Sequence, residues 1–259
     1  MARLFVAALL LCALTFPAIP ASLDAGAINN AEFRAKPAAE DKVDAAVVKV
    51  QVLLDRTLFS PGEIDGKLAE NTQKALRAFA EAKNLTFQKT LTPELWAKLT
   101  ETGQDPVVTQ YAISESDLKG PFLRKLPAKM EDMKNLKILG YTSPREAIAE
   151  KFHMSEALLS TLNPGKKFDR AGETIFVANV LNKLGKLTIG RVEVDKSRQT
   201  VKAFDPQGAL VAFFPATVGS EEKPTPTGTL KVIFLVGSDN FPTRNSIEAV
   251  CRLTGVKRR

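Results

Sequence analysis

The spacing of apolar residues changes character three times along the chain, and each change predicts a different kind of element. From Ala45 the apolar positions Val47, Val50, Leu54 and Leu58 recur at helical spacing. Ser60-Pro61-Gly62 breaks that run, and Ile64-Asp65-Gly66 forms a turn. A second helix carries Thr72, Ala75, Leu76 and Phe79 on one face, and a third, from Pro93 to Leu99, carries Leu95, Trp96 and Leu99. Three short stripes of this kind need one another to be buried. Residues 45–100 are therefore expected to form a small helical module.

Between Leu139 and Val180 the order reads strand, helix, helix, strand. Ser143 can cap the first helix with Glu146 three residues on, Ser155 can cap the second, and Asn163-Pro164-Gly165 stops it. From Leu187 the period becomes two: Leu187, Ile189, Val192 and Val194, then Val201, Ala203 and Phe204 before the turn Asp205-Pro206-Gln207-Gly208, then Leu210, Ala212 and Phe214, then Leu230 to Leu235. This is antiparallel meander material. The fold class expected is α+β and multidomain, with several small cores. Residues 22–44 and 101–138 show no sustained period and read as a flexible tether and as a connector that packs on its neighbours.

Composition adds a compartment. Met1-Ala2-Arg3, the apolar run Leu4 to Thr15, Pro17 and the small residue Ala21 have the charge, length and exit of a secretory signal peptide spanning 1–21. A run that short does not cross a bilayer, so no stable membrane anchor is expected once it is removed. The expected location is the periplasm or cell wall. Cys12 leaves with the leader, so Cys251 cannot form an internal disulfide; it is a nucleophile, an intermolecular partner or incidental. The net charge of +7 is spread among acidic residues, and only Lys257-Arg258-Arg259 forms a run, which argues against nucleic acid as a partner. Such a charge suits either an anionic wall surface or plain solubility.

Three segments resemble known families. Gln51, Leu54, Gly62, Ile64-Asp65-Gly66, Thr72, Ala75, Phe79, Leu85 and Trp96-Ala97-Lys98-Leu99 match the three-helix peptidoglycan-binding-like module, departing from it at Leu68-Ala69 and Ala80. Residues 139–180 are similar to a LysM-type βααβ unit. Val192 through Val232, with Asp-Lys, the Gly turn, Val-Gly and Pro224-Thr225-Pro226-Thr227-Gly228, resembles the first third of an L,D-transpeptidase (YkuD-type) domain, placed here at 187–235. These resemblances imply an exported protein of the peptidoglycan wall, with peptidoglycan as partner and no metal or cofactor. They also imply Asp65, Thr72 and Asn163 as candidate glycan-contacting residues, although for Asp65 a turn-capping role competes with a binding one.

The resemblance also sets a chemical requirement. In that family a cysteine thiolate attacks the donor stem peptide, a nearby histidine activates the thiol, and backbone donors hold the oxyanion. Here the His-Gly and Ser-His-Gly-Cys-x-Arg signatures are missing, no histidine follows His153, and Val250-Cys251-Arg252-Leu253-Thr254 echoes only the family's ending. His153, after Phe152 at a helix end, reads as packing and a helix C-terminal interaction. No catalytic residue is assigned, and residues 236–259 read as an aberrant, poorly ordered tail that leaves Val232 to Leu235 with an unpaired edge. Three readings are in view: an L,D-transpeptidase enzyme, against which the missing Cys and His motifs argue, a non-catalytic peptidoglycan-binding protein, and a degraded gene product that does nothing stable; the expectation is an exported transpeptidase relative that has lost activity.

Overall fold

The computed structural model describes residues 23–34, 41–88, 90–125, 127, 140–180, 187–219, 224–232 and 253–255. The expected leader 1–21, Cys251 and most of the expected tail lie outside the described residues. Within them the fold is α+β, with antiparallel sheets of two and three strands.

The helices are α1 (Ala25–Asn29), α2 (Ala45–Arg56), α3 (Glu70–Ala82), α4 (Pro93–Thr100), α5 (Glu115–Leu118), α6 (Pro144–Lys151) and α7 (Glu156–Leu162). At the head of α2, Asp44 accepts from the Ala46 backbone N–H at 2.7 Å. This helix is buried on nearly every side, through Val47, Val48, Val50, Val52, Leu53 and Leu54, rather than along the single stripe expected. It is the axle of the molecule, with α1, α3 and α4 packed around it. The helix also stops at Arg56, short of Leu58. Leu58 takes a left-handed φ of 66° and turns the chain outward, so that Phe59 meets Phe79 of α3 edge to face at 5.5 Å.

Part of the expected tether is structured. Asp24 caps α1, and Ile28 is fully buried. Asn29 exchanges two hydrogen bonds with the Val108 backbone, at 2.9 and 2.8 Å, and Lys49 Nζ donates to the carbonyls of Asn29 and Ala31. The sequence signal missed here is the pairing of an N-cap with one apolar residue, too short to show a period.

The expected connector contains a strand. β1 (Val108–Ala112) pairs antiparallel with β2 (Thr174–Ala178) in the register Val108↔Ala178 to Ala112↔Thr174. The α6–α7 pair lies between them in sequence. Of the strand expected from Leu139, only Gly140 and Tyr141 are among the described residues, and neither is in a strand; the Tyr141 carbonyl accepts from the Leu123 N–H at 2.8 Å. The two helices that follow are capped as expected, Ser143 accepting from Glu146 N–H at 3.1 Å and Ser155 from Leu158 N–H at 3.0 Å.

β3 (Arg191–Asp195), β4 (Thr200–Phe204) and β5 (Leu210–Pro215) form the three-stranded meander, with a register shift at Ala203/Phe204. The outer edge of β5 does not face solvent. Phe213 donates to the Leu58 carbonyl and accepts from Ser60 N–H, both at 2.8 Å, and Lys202 reaches Glu81 of α3 at 2.6 Å. Consequently Phe213 joins one buried cluster that runs from Ile28 through Val180, in place of several small cores. Finally, β6 (Leu230–Val232) pairs antiparallel with β7 (Leu253–Gly255), so the edge expected to be bare at Val232 has a partner; residues 233–235 lie outside the described residues.

Candidate functional site

The Ile64-Asp65-Gly66 turn is organised by one buried amide. Gln51 projects from the middle of α2, where an uncharged residue with two donors and an acceptor can satisfy several backbone groups at once. Its Oε1 accepts from Gly66 N–H at 2.7 Å and Asp65 N–H at 3.2 Å. Its Nε2 donates to Asp65 Oδ1 at 2.9 Å, Thr72 Oγ1 at 3.0 Å and the Lys67 carbonyl at 3.2 Å. Asp65 Oδ1 also accepts from Lys67 N–H at 2.9 Å. The structure thus brings the candidates Asp65 and Thr72 together on Gln51, with Thr72 buried and Asp65 half-buried. Gly66 has φ +76°, and a Cβ there would lie 2.6 Å from Val43 and 2.8 Å from Val48 side-chain carbons.

The same turn docks on the α6–α7 elbow. Ile64 N–H donates to the His153 carbonyl at 2.7 Å, and Ser155 N–H donates to the Ile64 carbonyl at 2.9 Å, a short parallel bridge between segments far apart in sequence. His153, at a left-handed φ of 54°, turns its ring toward α2. Nδ1 stands 3.0 Å from both carboxylate oxygens of Asp55. Burial acts to lower the imidazole pKa, but the hydrogen bond and charge of Asp55 and the charge of Glu150 outweigh it and raise the group above its ordinary value. Nearby, burial and the charges of Asp65, Glu150 and Glu156 push the Glu63 carboxyl up. The junction thus gathers the carboxylates Glu63, Asp65, Glu150 and Glu156, with Lys67 beside Glu63 and Arg145 paired to Glu156.

Asn163 is placed elsewhere, at the end of α7. Its Nδ2 donates to the carbonyls of Leu159 and Phe176 at 2.9 and 2.8 Å, and its Oδ1 accepts from Phe176 N–H at 2.7 Å, which ties α7 to β2. It is buried.

A polar cluster that the sequence did not announce links β1, α5 and α6. Asp117 accepts from Tyr111 Oη at 2.6 Å, Ser114 N–H at 2.8 Å and Lys151 Nζ at 2.8 Å, while Lys151 also reaches Tyr111 Oη at 2.7 Å. Burial acts to raise the Asp117 pKa, but the hydrogen bonds from Lys151, Tyr111 and Ser114 prevail and lower it to about 2. Asp55, Asp117 and Lys151 gave no motif; each is a single charged residue whose partner is distant in sequence.

In the meander, Lys196 Nζ reaches back to the Thr225 carbonyl at 3.0 Å and Thr227 Oγ1 at 2.6 Å, and Thr225 Oγ1 accepts from Gly219 N–H at 2.7 Å. The Asp-Lys turn and the Pro-Thr-Pro-Thr-Gly segment, matched in sequence as separate motifs, are thus neighbours in space. Among the described residues no group of three or more His, Cys, Asp or Glu side chains could hold a metal, and no helix is long and apolar enough to cross a membrane. Comparison with protein-family models gives no match, and comparison with curated proteins gives none either.

Proposed function

We propose that this polypeptide is an exported peptidoglycan-associated protein related to L,D-transpeptidases, and that it acts by binding the wall rather than by acyl transfer. The observation that carries the absence of catalysis is the position of the chain's one histidine. A thiol-dependent acyl transfer needs imidazole within hydrogen-bond reach of sulfur on one scaffold. His153 is instead committed to Asp55 at the helical junction, outside the meander whose sequence resembles the catalytic domain.

Three features support the wall-binding part. The sequence signature around Ile64-Asp65-Gly66 coincides with a turn fixed by Gln51, as a module of that type requires. The α6–α7 pair followed by β2 supplies the helix-helix-strand part of the order expected of a LysM-like unit at 139–180, and β2 is paired by Val108–Ala112, which lies upstream of that unit with α5 between. Lys196 draws the Pro-Thr-Pro-Thr-Gly segment onto the meander, in keeping with a shared ancestry with YkuD-type domains. Because Thr72 and Asn163 are buried and hydrogen-bonded within the chain, their part in glycan recognition is to shape the surface around the Asp65 turn and the α7–β2 corner.

The activity half is tested by incubating the full chain with tetrapeptide stem substrates and analysing products and protein by mass spectrometry. The expected result is no 3–3 crosslink and no acyl adduct on Cys251; either species would refute it.

A further inference from the structure

β3 is the terminal strand of its sheet and, among the described residues, has β4 as its only strand neighbour. The opposite end of the sheet is occupied, since β5 bonds to Leu58 and Ser60. The open strand reads Arg191-Val192-Glu193-Val194-Asp195, and its two valines are 55% and 51% exposed. Natural edges are usually protected by inward charges, bulges or covering loops, and an edge with two exposed valines among its five residues invites another strand.

The charges on this edge select the partner. Directly opposite residues in an antiparallel pair share a face, so each two-fold register can be judged by which side chains it places across from each other. A two-fold axis at Glu193 sets two carboxylates face to face. An axis at Val194 sets Glu193 against Asp195. An axis at Val192 sets Arg191 of each copy against Glu193 of the other and stacks Val192 on Val192, leaving no like-charged pair at the centre. In the single chain Arg191 and Glu193 already form an ion pair on this strand, so both side chains lie on the same face and stand ready to exchange partners.

We propose that a second copy of this chain adds to the β3 edge, antiparallel, through a two-fold axis at Val192, to make a continuous six-stranded sheet. With five residues a side the contact is small, so association is weak and concentration-dependent. The inference is independent of the wall-binding reading, since it concerns a different surface.

The test is sedimentation of the full chain over a concentration series up to about 1 mM, with charge reversals on the edge. A monomer–dimer equilibrium is expected. Arg191→Glu and Glu193→Arg should each weaken the dimer by at least about tenfold, because each creates two like-charged pairs. The double reversal should restore it with polarity exchanged. Far-UV circular dichroism on every variant confirms that loss of dimer is not loss of fold. A chain that remains monomeric throughout, one that forms larger polydisperse species, or a dimer indifferent to the single reversals or not restored by the double one would overturn the proposal.

Discussion

His153 Nδ1 sits 3.0 Å from each carboxylate oxygen of Asp55, so the elbow between α6 and α7 is clamped to the end of α2 across ninety-eight residues of sequence. Charge on the imidazole strengthens this clamp. A group whose folded pKa is raised contributes stability that is fully present below the unfolded value, here 6.5, and lost as pH climbs through the folded one. The thermal midpoint of the wild type should therefore fall, relative to that of Asp55→Asn, as pH is taken from about 6 to about 9. A constant difference between the two proteins across that range would rule out the charged pair.

The opposite sign applies at Asp117. Its carboxyl is held at about 2, below the ordinary 3.8, so the contribution of the Tyr111–Asp117–Lys151 cluster is intact above 3.8 and disappears as pH falls toward 2. Lys151→Met should flatten acid unfolding in that window. Chemical denaturation at stepped acid pH would reveal it, and an unchanged acid limb would contradict it.

Gln51 makes four hydrogen-bond contacts to the turn over Asp65–Lys67 and one to Thr72 of α3. Gln51→Leu keeps volume but strands the Gly66 and Asp65 N–H groups, and should cost about 3 kcal/mol in urea denaturation. Gly66→Ala should cost a similar amount, about 1–3 kcal/mol from its positive φ together with the close approach of Val43 and Val48. Loss of less than about 0.5 kcal/mol in either variant would mean the turn does not depend on this geometry.

Asn163→Ala removes two hydrogen bonds between α7 and β2, both to Phe176, and one to the Leu159 carbonyl within α7. The expected loss is about 2–3 kcal/mol. Hydrogen exchange should localise the loosening to β1 and β2; uniform loosening would argue that Asn163 does not act locally.

How much of this was legible in the sequence follows from range. The helices α2, α3, α4, α6 and α7 and the meander strands announced themselves because period and caps are local signals. Ser143 and Ser155 cap the helices they were expected to cap. What the sequence concealed was pairing over distance. β1 looked like connector because only Val108 of its five residues is buried, so no apolar alternation marks it, and its partner β2 is more than sixty residues away. α1 looked like tether because its one buried residue, Ile28, gains meaning only from α2 and Asn29 from Val108. Arg56 shows the same thing for the core: its guanidinium donates to the carbonyls of Asp105, Pro106 and Asn179, gathering loops that no motif connects. The candidate residues were legible as a turn signature, but whether Asp65 meets ligand or Gln51 depended on the fold.

The proposed binding of peptidoglycan runs through surfaces shaped by the Asp65 turn and the α7–β2 corner. Co-sedimentation of the full chain with purified sacculi tests it most directly. The chain is expected in the pellet, with Glu63→Gln at the exposed edge of the turn reducing the bound fraction while the melting curve is unchanged; a chain that stays in the supernatant at every sacculus concentration contradicts it.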